Sequence, residues 1–220
     1  MRLTILLFDG FTALDVVGGY EVLANVSGIE VEFAAESGGV IASDTGRLGM
    51  LAYRRFDQIA STDILYVPGG PGVAAALGSQ TLLDCIRRLD AGSRWTVSIC
   101  NGAELLGAAG LLAGRRVTTN WFARDKVAAY GALVEATRFH RDGKLVSGAG
   151  VSASIDAGLF LAGLLAGEET AKLIQLGLEY YPEPPFGNGS PDDQPEAAKS
   201  VIRRIEQAAS RRLAARDIPF

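Results

Sequence analysis

Cys100 is the residue in this sequence best placed to do chemistry. It closes the apolar run Trp-Thr-Val-Ser-Ile (95–99) and is followed by Asn101, Gly102 and an apolar stretch of helical spacing. A strand that turns sharply into a helix strains the turning residue and aims its side chain out of the sheet edge. The helix start behind it offers free N–H groups and the positive end of a dipole, and both favour thiolate over thiol. The spacing predicts a nucleophilic cysteine with a lowered pKa. The competing reading is a structural thiol, since free cysteine is among the most buried residue types. Cys85 takes that second reading. It shares an apolar stripe with Leu82, Leu83, Ile86 and Leu89.

Two further groups can serve such a sulfur. Val-Pro-Gly-Gly-Pro-Gly (67–72) follows an apolar run, and a glycine pair there lets backbone N–H groups approach a ligand. Near Cys100 they would stabilise developing negative charge. The motif lacks the Lys-Ser/Thr ending of a phosphate loop, and no Gly-x-Gly-x-x-Gly opens the first helix. Asp15 and Glu21 lie in the largely apolar segment after the first strand, where burial would raise a carboxyl pKa and make it a proton donor. The plain alternatives are a helix N-cap for Asp15 and a structural carboxylate for Glu21. One histidine exists, His140, beside Arg141 and Asp142 in a turn-forming segment. That scarcity excludes multi-histidine metal sites.

The elements that must hold these groups follow a simple rhythm. Apolar runs at 3–8, 29–35, 63–68 and 95–99 each end near glycine and read as buried parallel strands. Helical stretches at 13–26, 79–92 and 102–114 lie between them. The expected fold is α/β: a mostly parallel central sheet sandwiched by helices, doubly wound, with a C-terminal arm and helix. Residues 132–148 read as two strands about Asp142-Gly143, and 152–180 as one long buried helix. Residues 182–195 carry five of the eight prolines and form an arm, before a helix over 196–217. The expected organisation is one domain over 1–181, with the arm and helix of 182–220 packing on it or on a dimer partner.

Composition narrows the function. The 220 residues are 48% hydrophobic and 21% charged, which supports a large core and excludes a disordered chain. Lys plus Arg number 21 against 25 Asp plus Glu, a net charge of −4. No basic excess exists to hold nucleic acid. The basic cluster Arg203, Arg204, Arg211, Arg212 and Arg216 alternates with acids and alanines and reads as a solvated helix face. No apolar run reaches the ~18 residues needed to span a bilayer. The N-terminus is too short in apolar residues for a signal peptide, so a cytoplasmic location is expected. The two cysteines are then expected to be reduced.

Ser-Ile-Cys-Asn-Gly-Ala-Glu-Leu-Leu (98–106) and its continuation to Trp121 resemble the nucleophile elbow of the ThiJ/PfpI superfamily. Residues 7–24 resemble its first loop and 66–72 its oxyanion turn. Residues 147–165 and 180–192 are similar to the isocyanide hydratase branch in particular, and the likeness runs through nearly the whole chain. The resemblance implies a glutamine-amidotransferase-like fold and a homodimer with active sites near its interface. It implies Cys100 as nucleophile, Asp15 as the facing acid and Glu21 as a supporting carboxylate. Gly70 and Asn101 would supply N–H groups around the substrate, and Gly148 and Val151 the pocket wall. Three positions depart from the pattern: Asn120 where many relatives have histidine, Asn101 where threonine is common in the branch, and Gly19 where the branch often has proline.

The expected reaction is hydration of an isocyanide to an N-formamide, with no metal or organic cofactor and a small molecule as the only substrate. Two alternatives use the same cysteine. A glyoxalase or deglycase would act on 2-oxoaldehydes but needs a base where Asn120 stands. A redox sensor would need an exposed thiol of low pKa. A regulator with a DNA-binding domain would need about 100 further residues after 181.

Overall fold

In the computed structural model the described residues are 1–187 and 189–215. In chain order they form β1 (Arg2–Leu6), α1 (Ala13–Leu23), β2 (Glu30–Ala35), β3 (Gly39–Ala42), β4 (Gly49–Ala52), β5 (Arg54–Arg55) and β6 (Ile64–Val67). Then come α2 (Val73–Ala76), α3 (Gln80–Gly92), β7 (Trp95–Ile99), α4 (Gly102–Ala108), β8 (Arg116–Val117), α5 (Arg124–Ala128) and β9 (Leu133–Val134). The chain continues through β10 (Phe139–Asp142), β11 (Leu145–Gly148), α6 (Ala153–Ala166), α7 (Glu168–Gly177) and α8 (Glu196–Ala214).

The main sheet runs β10-β11-β7-β6-β1-β2-β5, and every pair is parallel except β10 with β11. The strand runs read from the sequence are its four central members. Three of them are buried on both faces: every residue of β6 and β7, and Leu3 to Leu6 of β1, lies inside, while β2 is buried only at Ala34 and Ala35. Each large apolar side chain fully buried there contributes about 1.5–3 kcal/mol. From β1 the chain winds one way to β2, and from β6 the other way to β7, so the order reverses between β1 and β6. Right-handed crossovers then put α1 and α3 on opposite faces, and ligands belong at the strand ends beside the reversal.

Several boundaries move. The stretch 152–180 is two helices, because Gly167 takes φ 89° and ends α6 there. Only one face of α6 is buried, with Ala157, Gly158, Leu161 and Ala162 inside and Leu164 exposed. The helix expected over 102–114 stops at Ala108, and Gly110 at φ 82° turns the chain. The first strand of the 132–148 hairpin is only Phe139–Asp142, since Leu133–Val134 pairs with β8 instead. The β3–β4 hairpin carries no clear alternation in the sequence that would mark it as paired strands. Among its described residues the arm holds no strand, only a 3-10 turn at Pro191–Asp193. Arg216 and the end of the helix expected to 217 lie outside the described residues. Where described, α8 packs against α2, and Leu213 reaches the backbone beside Gly10.

Candidate active site

Cys100 ends β7 with φ 56°; Glu179 is the one other non-glycine described residue in that left-handed region. A strained φ of this kind costs on the order of 1–3 kcal/mol and persists where neighbours enforce it. Three do so. The Cys100 N–H donates to the Gly148 carbonyl at 3.0 Å, the Thr119 hydroxyl donates to the Cys100 carbonyl at 2.7 Å, and α4 begins two residues later.

The sulfur has its own donor. Asn120 Nδ2 lies 2.9 Å from Cys100 Sγ. The amide orientation is fixed, because Asn120 Oδ1 accepts the Ala123 N–H at 3.1 Å and caps a 3-10 turn. Its NH2 therefore faces the sulfur. The Asn101 N–H supplies a second donor. Both stabilise a thiolate, yet burial outweighs them, and the Asp15 charge adds to it, so the thiol is pushed well above its ordinary value. This corrects the expectation of a lowered pKa. The sulfur is also not open to solvent: Cys100 is 5% exposed.

Asp15 stands in the first turn of α1 and is 0% exposed. It is not the N-cap; Thr12 holds that position. Its Oδ2 accepts the Gly69 N–H at 2.8 Å, and its Oδ1 is buried without a partner. Tyr66 fixes the same turn by donating its hydroxyl to the Asp15 carbonyl at 2.5 Å. Burial raises the carboxyl to about 8, opposed by the Gly69 N–H and reinforced by the charges of Asp44 and Glu206. Asp15 is thus a neutral acid at pH 7 beside a thiol that its own charge would hold protonated.

The Gly69-Gly70 turn is committed to this arrangement. The Gly70 N–H donates to Asn101 Oδ1 at 2.7 Å, and Asn101 Nδ2 donates back to the Gly70 carbonyl at 3.1 Å. Gly70 takes φ 137°, with the backbone of Gly10 to Thr12 where a Cβ would sit. The N–H groups of Gly69 and Gly70 therefore hold Asp15 and Asn101, and neither faces an open oxyanion position.

The remaining expected residues divide. Gly148 sits behind Cys100 as described, and Val151 lines a cavity of about 530 Å3 with Leu14, Thr119, Trp121 and Gly150. A second cavity, of about 330 Å3, is lined by Asn101, Pro71, Phe122 and the face of α8 carrying Arg203 and Glu206. Glu21 is not at the site. Six residues on from Asp15 it has turned about 240° round the helix and is exposed. His140 lies half-buried on β10 opposite Ser147. Gly19 has a local cause: a Cβ there would collide with the Tyr66 ring. Cys85 is buried and free beside Arg88, and burial raises it to about 11.

Comparison with known proteins puts this site in context. A model of the DJ-1/PfpI family matches residues 1–162. An isonitrile hydratase of Pseudomonas putida is 40% identical over 204 residues, covering 93% of this chain and 89% of that protein. The crystal structure of a ThiJ/PfpI family protein from Pseudomonas syringae superposes with a TM-score of 0.89 at 30% identity, over 98% of this chain and 90% of that one. Drosophila melanogaster DJ-1beta shares the fold, with a TM-score of 0.73 at 22% identity over 81% of this chain and 97% of its own.

Proposed function

This chain belongs to the DJ-1/PfpI family, and from that membership we propose that it hydrates an isocyanide to the corresponding N-formamide. The observation that carries the reading is a buried cysteine and a buried neutral carboxyl on neighbouring turns, with an amide donor at 120 in place of a base.

The chemistry fits these groups. With one proton shared between Cys100 and Asp15, sulfur bonds to the terminal isocyanide carbon and the Asp15 proton passes to that carbon. The product is a thioimidate on Cys100 and an ionised Asp15. Asp15 then takes a proton from water as the water oxygen adds to the same carbon. Asp15 passes that proton to nitrogen, the carbon–sulfur bond breaks as the added hydroxyl gives its proton to sulfur, and the N-formamide leaves with the pair again holding one proton. Water is the co-reactant, and nothing is oxidised or reduced. An isocyanide ends in a bare carbon on a linear group. Its narrow end needs only a small opening to reach a buried sulfur. No oxyanion forms in the first step, which accords with the engaged N–H groups of Gly69 and Gly70.

The alternatives fit less well. Asn120 cannot take the proton that moves between carbons in a glyoxalase reaction. A sensor thiol must be exposed and of low pKa, and Cys100 is neither. The test is loss of the isocyanide infrared stretch with appearance of formamide. Turnover no faster than that of Cys100→Ala would sink the assignment.

We further propose a homodimer in the cytoplasm. Leu173, Leu176, Tyr181 and Phe186 are all exposed over α7 and the arm, a patch suited to an interface. No described helix is long and apolar enough to cross a membrane. Light scattering should give twice the chain mass, and cell fractionation should recover the protein with the cytosol.

A further inference from the structure

We infer that Arg124 anchors a carboxylate on the substrate, so that the isocyanide taken by this protein carries an acidic tail. The inference rests on the hydratase reading and names its substrate class.

Arg124 opens α5 and lines the 530 Å3 cavity. Several residues lining that cavity are chain neighbours of the Cys100 site. Leu14 precedes Asp15, Thr119 holds the Cys100 carbonyl and precedes Asn120, and Ala149 follows Gly148. A substrate whose isocyanide end reaches the sulfur from this side leaves its tail here.

The wall has one under-used cation. Arg138, the other arginine lining the cavity, is fully engaged: it donates to Asp156 at 2.6 Å and to Ser152 at 3.0 Å, and it bonds to Tyr180. Arg124 makes no side-chain hydrogen bond among the described residues. Its one charge partner is Asp192 on the arm, at 3.8 Å, and its Nε is buried without an acceptor. A guanidinium presents a planar fork of donors that matches a carboxylate in two-point contact. A buried N–H left unpaired is costly, so the site gains when an anion supplies the missing acceptor. Apolar Leu14, Trp121 and Val151 would pack the short chain between the carboxylate and the isocyanide. The chain as a whole is acidic, with net charge −4, so a weakly paired arginine on this cavity wall is a local feature and not an overall bias.

The test compares isocyanoacetate with its methyl ester, which keeps the skeleton and removes the charge. Hydration yields N-formylglycine or its ester. The wild-type kcat/KM should favour the acid by about tenfold or more, and Arg124→Gln should bring the ratio close to one. No preference for the acid in the wild type, or a preference that survives Arg124→Gln, overturns the inference. Should that variant not fold, Asp192→Asn carries the test. Removing the competing anion should raise the ratio, and an unchanged or lower ratio counts against Arg124. If neither compound is hydrated, the reaction itself is misread, and calorimetry decides the anion site separately. Binding of N-formylglycine over its ester, lost in Arg124→Gln, upholds the site; no such selectivity removes it.

Discussion

At the scale of single residues, the site is a coupled pair whose members hold each other's protons. Burial keeps Asp15 neutral up to about pH 8 and keeps Cys100 protonated beyond that. Below pH 8 the pair carries two protons and no thiolate; above it one proton is shared, and either group can hold it. We expect kcat/KM for isocyanide hydration to rise tenfold per pH unit up to about pH 8 and then level. Asp15→Asn should lose that rising limb along with most of the activity. A profile unchanged by the substitution would remove Asp15 from the chemistry. Asn120→Asp tests the sulfur's donor. It retains an acceptor for the Ala123 N–H but sets an oxygen against sulfur where an N–H was. The thiol should titrate still higher, with a rate loss of about tenfold or more at pH 8. Ultraviolet absorbance of the thiolate reads the first quantity directly.

At the scale of elements, three strand ends and one helix cover the pair. The β1 loop brings Asp15, the β6 turn supplies the N–H groups of Gly69 and Gly70, and the β7 elbow brings Cys100. The turn is rigid because it is bonded on both sides, by Asp15 and by Asn101. Gly70→Ala should cost about 1–3 kcal/mol, since φ 137° has no place for a Cβ and backbone stands in its way. Chemical denaturation measures this, and a stability equal to wild type would show that the turn relaxes freely. We propose that residues 1–181 form the α/β unit and that the arm and α8 are its cover. Arg203 of α8 lies over the Trp121 ring at 4.9 Å. Arg203→Ala should loosen this contact by about 0.5–1 kcal/mol and speed amide hydrogen exchange along α8. Exchange unaltered in α8 would mean that the stacking does not hold the helix.

At the scale of the whole molecule, the site lowers the stability of the fold. Asp15 has its folded-state pKa raised from 3.8 to about 8, so between those values the folded chain holds a proton that the unfolded chain releases. Stability therefore falls as pH rises through that window. Asp15→Asn removes the titration while keeping an acceptor for the Gly69 N–H. Its thermal midpoint should match wild type near pH 4 and exceed it increasingly towards pH 8. Equal midpoints across the range would show that the carboxyl is not held neutral by folding. An active site assembled at this cost is the usual relation between stability and function.

The sequence by itself determined β1, β2, β6 and β7, because buried strands are largely apolar and end where glycine lets the chain turn; the two exposed residues of β5 carry no such signal. It also determined the elbow, since Cys-Asn-Gly at a strand-to-helix junction is a local pattern. Periodicity did not reveal the break at Gly167, because glycine within an apolar helical stretch looks the same whether it packs a helix or ends one. Three features were decided by tertiary structure alone. Asp15 is buried where its charge acts on Cys100 while Glu21 turns outward, which depends on how α1 is rotated against β6. Asn120 meets the sulfur across 20 residues of chain. The thiol pKa rises where the helix dipole argued for a fall. The dipole and the N–H groups follow from local sequence, but desolvation and the charge of Asp15 depend on everything packed around the sulfur, and in this site they are the larger effects.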